Sequence, residues 1–210
     1  MGIAQRINAA LRRVPTWAVY LAGGAVPFWY FWLGLTGGLG PEPVKALEHA
    51  LGLLALQMLV AVLAVTPLRD ITGVSLVRFR RALGLLAFFY VTCHLIVWLF
   101  LDVQFLDAIV KDIVKRPYIT IGMAAFVLML PLAVTSNNIS IRKLGPKAWK
   151  RLHRLTYGAA VLGAVHFVML TKTWETEPMV YLGLVVALVA WRLPWAKLAE
   201  GAGGLRRRDA

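Results

Sequence analysis

Cysteine is almost absent from this chain: Cys93 stands alone. One thiol excludes an internal disulfide and a CxxC metal site. As a small apolar residue beside a histidine, Cys93 reads as packing. Acidic residues are also scarce, 10 against 23 Lys and Arg, and charge of either sign makes up only 16% of the 210 residues. With 60% hydrophobic residues and a mean hydropathy of +0.70, the chain is expected to be one integral membrane bundle without a second globular domain. A net charge of +13 would suggest nucleic acid in a soluble protein. Here the cations lie in short loops and tails beside apolar runs, so membrane topology explains them and no nucleic-acid partner is expected. A GxGxxG element is missing too, and with it any sign of a nucleotide domain of the chain's own. No separate signal peptide is read, because the first apolar run is too long and lacks a clear cleavage site.

What the chain has in plenty is apolar length. Six spans are expected: Trp17 to Leu35, Ala46 to Thr66 ending at Pro67, Ala82 to Leu101, Pro117 to Thr135, Trp149 to Lys172, and Pro178 to Trp195. Pro131 is a candidate kink. The first 16 residues, with Arg6, Arg12 and Arg13, read as a short amphipathic helix at the membrane surface, and residues 102–117 as a loop. Residues 196–210, with Gly203, Gly204 and Arg206 to Arg208, read as a disordered basic tail. The fold class is therefore an all-α membrane protein, its six-span domain covering residues 17–195. An even number of spans puts both termini on one side. Of the 23 basic residues, five (Lys45, Lys111, Lys115, Arg116 and Lys172) fall on the other side, so the termini are expected in the cytoplasm. Trp17, Trp98, Trp149, Trp174 and Trp195 fall near span ends and read as interfacial anchors.

Four histidines carry the chemistry. Intramembrane ionisable groups are costly and mark functional candidates. His94 lies about 12 Å from the outer end of span three, and His166 about 9 Å from that of span five, at 1.5 Å per residue. Imidazoles at matched depth on two helices can ligate one haem iron from opposite sides. A hydrogen-bonded core pair is the alternative. His49, nearer the surface in span two, suits either a haem propionate or an interfacial cap. His153 lies about 19.5 Å from His166 along span five, near the cytoplasmic edge, and is a further candidate iron ligand. Its level in span three is held by Arg80 and Arg81. Such an inner site suits an anionic partner, a haem propionate or a flavin phosphate; a cationic edge attracting lipid headgroups is the other reading. On one ideal helix His153 and His166 point about 140° apart, so a shared seam requires distortion, for which Gly158 and Gly163 give latitude.

The motifs TPL (residues 66–68), RRALGL (80–85), YVTCH (90–94), RPYITIG (116–122), TSNN (135–138) and WKRLHRLTY (149–157), with GGLGPEPVKALEHALG before span two, resemble the MsrQ family, also called YedZ. The resemblance covers nearly the whole chain in order. It implies a six-helix bundle of ferric-reductase-like type in the bacterial inner membrane, binding b-haem. It implies a periplasmic molybdopterin partner, MsrP, which itself catalyses the repair of methionine sulfoxide in oxidised proteins. It also implies an association with FMN, and a donor that is either the quinone pool or a cytoplasmic flavin reductase. Two-haem members of the superfamily use two histidines on each of two helices; here Arg80 stands where the inner histidine of span three would be.

Two other functions compete. A proton-coupled transporter using buried histidines would be expected to show intramembrane carboxylates or an inverted repeat, and neither is visible. A self-contained ferric reductase would need the missing nucleotide domain.

Overall fold

The computed structural model describes residues 2–171 and 175–192, and among them there are helices and turns but no strand. In chain order the helices are α1 (Ile3–Arg13), α2 (Thr16–Leu35), α3 (Pro43–Thr72), α4 (Arg80–Val97), α5 (Leu106–Lys115), α6 (Pro117–Val134), α7 (Asn138–Leu152), α8 (Leu155–Leu170) and α9 (Thr176–Ala190). Four segments are long and apolar enough to cross a membrane: α2, α3, the run Val77–Val103 that contains α4, and α6. The shorter apolar helices α8 and α9 complete a six-helix membrane bundle.

Two pairs make up its centre. α3 packs along α4, and α6 along α8; α9 then leans on α8 and α3, while α2 leans on α4 and α3. The shared core runs from Leu56, Leu59 and Leu63 of α3 through Ala87 and Met129 to Ala159, Ala160, Ala164 and Phe167 of α8. The alanines on α8 let neighbouring backbones approach closely, the usual basis of helix association where hydrocarbon surrounds both partners.

Three prolines, Pro27, Pro67 and Pro131, sit inside spanning helices, and each leaves a carbonyl four residues earlier without its helical donor. The carbonyls freed by Pro27 and Pro67 are recovered by a neighbouring helix. Pro27 frees Gly23 O, which accepts from the Tyr90 hydroxyl of α4 at 2.7 Å. Pro67 frees Leu63 O, which accepts from Arg192 Nη2 at 2.7 Å. This explains why α3 continues past Pro67 to Thr72, where a span end was expected at the proline. Tyr90→Phe is expected to lower stability by about 1 kcal/mol. The loss should shrink in a Pro27→Ala background, where the alanine's backbone N–H can reclaim Gly23 O. A thermal-unfolding double-mutant cycle in detergent checks it; strict additivity would contradict this pairing.

Four more expectations need correction. The fifth span is not one helix from Trp149: α7 ends at Leu152, His153 and Arg154 turn the chain, and α8 begins at Leu155. The turn is fastened by Trp149, whose Nε1 donates to Thr135 O at 2.9 Å and whose ring stacks on His153 at 3.8 Å. Trp149 is thus a structural clasp instead of a belt residue. α7 carries Arg142, Lys143, Lys147, Lys150 and Arg151, too much charge for a spanning helix, and is itself interrupted at Gly145, whose φ of 76° favours glycine. Residues 102–117 are not simply a loop. A π-helical turn, Trp98–Val103, prolongs α4 and α5 follows it as a short amphipathic helix. The turn directs Trp98 inward, only 7% exposed, so this tryptophan is not a belt anchor either.

At the N-terminus α1 forms a helix and is tied down: Asn8 bonds Gly73 O and Ser75 N, and Arg78 caps the carbonyls of Leu11 and Arg12. Cys93 packs beside Leu47, Leu51 and Val97. Trp174, Trp195 and the expected tail fall outside the described residues.

Candidate functional site

His94 of α4 and His166 of α8 meet between the two helix pairs, with ring centroids 6.3 Å apart and planes at 81°. Their matched depths therefore translate into proximity. Each ring is held from behind in the same way. His94 Nδ1 lies 2.9 Å from Glu48 O on α3, and His166 Nδ1 lies 2.7 Å from Tyr118 O on α6. A carbonyl only accepts, so Nδ1 carries the proton in both rings and the Nε2 lone pair is left for a ligand. Four residues after each carbonyl stands a glycine. A Cβ on Gly52 would lie 3.1 Å from His94 Nδ1, and one on Gly122 would lie 2.8 Å from His166 Nδ1. The second approach is closer than real Cβ atoms make. Each imidazole thus rests against a glycine, with the tighter groove at Gly122.

A cavity of about 470 Å³ opens beside the rings. Its deep wall is apolar, with Leu56, Leu59, Met129 and Ala159, while Lys45, Glu48, Asp102 and Arg116 stand nearer the helix ends that form its mouth. Two metal–imidazole bonds of about 2 Å, added to the two ring radii, give a centroid separation of about 6 Å. The observed spacing fits a metal ion between the rings. Among the described residues no group of three or more His, Cys, Asp and Glu could hold a metal. A metal taken up here must bring its remaining ligands with it, as a porphyrin does, and the cavity has room along its apolar wall for a flat macrocycle.

The other residues named from sequence are distributed unequally. His49 lines the cavity, its ring 5.6 Å from that of Phe167. His153 does not line it: its Nε2 is 3.2 Å from Thr135 Oγ1 and its face lies on Trp149. Burial, followed by the nearby charge of Arg81, holds His153 below the ordinary imidazole range, so it is neutral at neutral pH. Arg80 turns to α3 and donates from Nη2 to Thr66 Oγ1 at 2.7 Å. Arg80 and His153 therefore bond to different partners, Thr66 and Thr135.

Sequence reasoning missed Gly52, Gly122, Arg192 and the cavity-lining Trp98. The glycines did carry a signal, since each stands one helical turn after the residue whose carbonyl receives a histidine.

The sequence matches the family described as ferric reductase like transmembrane component over residues 49–164. It is 53% identical to the protein-methionine-sulfoxide reductase heme-binding subunit MsrQ of Brucella anthropi over 178 residues, covering 84% of this chain and 80% of that one. It is 51% identical to the subunit of the same name from Brucella ovis over 193 residues, covering 91% and 87%. No solved structure matches the chain.

Proposed function

The chain belongs to the MsrQ family of heme-binding membrane subunits, and from that premise we propose that it conducts electrons across the inner membrane to a periplasmic methionine sulfoxide reductase. The observation that carries the reading is the facing pair of imidazoles, His94 and His166, with both Nδ1 atoms engaged by backbone carbonyls. These two residues would hold a b-type haem by its iron. Bound there, the haem supplies a one-electron ferric–ferrous couple inside the hydrocarbon layer.

The chain's own residues supply placement and insulation. The carbonyls of Glu48 and Tyr118 fix the ring orientation and raise the basicity of Nε2, as hydrogen-bonded partners of metal-ligating histidines do. Buried Trp98 and Phe167 close the cavity walls against water. His49 is assigned to a haem propionate, since it lines the same cavity on the side of Lys45.

Electrons enter at the opposite end in this reading. Arg80, Arg81 and the neutral His153 form a cationic inner face suited to an anionic donor or cofactor, FMN among them, with a quinol or a flavin reductase as donor. The cation asymmetry supports termini in the cytoplasm. The acceptor is a molybdopterin subunit of the MsrP type, because the outer connections are too short to form a catalytic domain. The seven outer acids (Glu42, Glu48, Asp102, Asp107, Asp112, Glu175 and Glu177) mix with the five outer cations, so electrostatic steering of that partner should be modest.

The test is a vesicle with the chain inserted in one orientation, reduced donor inside and purified partner outside. Methionine sulfoxide reduction outside is expected to require the donor and to vanish in the His94→Ala chain. Turnover that persists in a haem-free variant overturns the conduit.

A further inference from the structure

α5 joins two spanning segments at the end of the bundle where the cavity opens. The run Val77–Val103 ends just before it, and α6 begins at Pro117 just after it. Only Gln104 and Phe105 precede the ten-residue helix, and only Arg116 follows it. Such a helix is about 15 Å long at 1.5 Å per residue, and three residues reach at most about 11 Å, too little to bring the chain back over that length. α5 therefore lies along the membrane face instead of standing out from it. Both its ends are pinned. Gln104 turns the chain with a φ of 65°, and its backbone N–H donates to Leu99 O at 3.1 Å. At the other end Thr120 Oγ1 of α6 donates to Ile113 O at 3.0 Å.

At about 100° per residue, Ile109, Ile113, Leu106, Val110 and Val114 follow one another round a single arc of about 140°. The protein covers one flank of that arc. Ile109 and Ile113 are half-buried, and α6 and the π-helical turn are the elements against which α5 packs. Leu106, Val110 and Val114 are 82, 62 and 77% exposed. In the turn before α5, Phe100, Leu101 and Phe105 are exposed as well, so the apolar surface runs on from the spanning segment. Lys111 and Lys115 stand on the opposite side of the helix, with Asp107 at the border of the arc. Asp112 is drawn to Arg116 at 3.2 Å, and neither lysine has an ion-pair partner among the described residues.

The charges decide what covers this face. If the apolar arc faced water to receive a protein, Lys111 and Lys115 would be turned into hydrocarbon without a partner, which is costly. With the arc turned to the bilayer, the apolar side chains meet acyl chains and the lysines reach headgroup phosphates, the arrangement of an interfacial helix. We propose that α5 is seated in the membrane leaflet beside the cavity mouth, with Leu106, Val110 and Val114 among the acyl chains of phospholipids. Seated so, it sets the level of Asp102 and Arg116, which flank it in the chain and line the mouth. That leaflet is the outer one on the charge-asymmetry reading above; the seating itself does not rest on it.

The experiment uses the full haem-loaded chain in phospholipid nanodiscs, with Cys93→Ala removing the one native thiol. A nitroxide spin label is placed singly in Leu106→Cys, Val110→Cys and Val114→Cys, and in Asp107→Cys, Lys111→Cys and Lys115→Cys. None of the six residues lines the cavity, so an unchanged haem spectrum checks that each labelled chain is folded. Collision of the label with oxygen, which concentrates among acyl chains, is compared with collision with a water-soluble nickel chelate. The oxygen-to-nickel ratio is expected to be about threefold or more higher in the first three chains than in the last three. Equal ratios, or the reverse order, overturn the seating. Nickel access at positions 106, 110 and 114 that is lost only on adding a purified periplasmic partner marks a protein-docking face and overturns it too. The side of the membrane is read separately: an impermeant maleimide should label the Lys111→Cys chain in intact spheroplasts. If labelling is absent while the oxygen pattern holds, the seating stands and the outward orientation fails.

Discussion

His94→Ala and His166→Ala, each alone, should abolish the low-spin b-type absorption spectrum of the purified chain. An iron held by two imidazoles is six-coordinate, and a short-lived or absent axial ligand leaves it high-spin or lets the haem dissociate. The two rings make equivalent contacts, one on Glu48 O and one on Tyr118 O, so loss of either removes one of two matched ligands. His49→Ala is expected to keep the low-spin signature, because the ring pair at iron-bridging separation is His94 and His166. His153→Ala should also keep it, since that Nε2 is engaged by Thr135 outside the cavity. The pattern is therefore two losses and two retentions, read from the Soret and α bands of the reduced protein. Wild-type spectra in both the His94 and the His166 variant would show that the iron is held elsewhere.

Much of this site was legible in the sequence, for a specific reason. Depth in a membrane span follows from residue count, so His94 and His166 could be placed on one level before any packing was known. What residue count cannot give is a break inside a continuous apolar run. His153 belonged by composition to the same span as His166, yet the Trp149 clasp on Thr135 turns the chain between them. The geometric difficulty of two histidines about 140° apart on one helix is resolved by that turn and not by the glycines of α8. α5 was hidden for a different reason: ten residues of mixed charge become a helix only where α6 and the π-helical turn offer a surface to lie on. In the sequence Arg192 is one basic residue near the end of the last span. Its role depends on Pro67, more than a hundred positions away, which leaves the carbonyl that it meets.

Gly122→Ala should damage the iron site more than Gly52→Ala, and neither glycine touches the cavity's metal position through a side chain. On Gly122 the added methyl would lie 2.8 Å from His166 Nδ1 and 3.0 Å from Cε1, so the ring must move. Movement away from α6 stretches the bond to Tyr118 O that orients the imidazole, and carries Nε2 off its axis. On Gly52 the corresponding distances to His94 are 3.1 and 3.2 Å, which a small adjustment of the ring relieves. Overpacking of this kind costs about 1–3 kcal/mol, with the Gly122 variant at the upper end. Gly84→Ala supplies the comparison, because no heavy atom comes within 4 Å of its Cβ position. A purely structural role would lower thermal stability alone. A positioning role adds a spectroscopic signature: a partly high-spin iron and a shifted midpoint potential in Gly122→Ala, a smaller shift in Gly52→Ala, and wild-type values in Gly84→Ala. If the Gly52 and Gly122 variants keep the wild-type spin state and potential while only their melting temperatures fall, the grooves support the fold and do not set the iron's ligands.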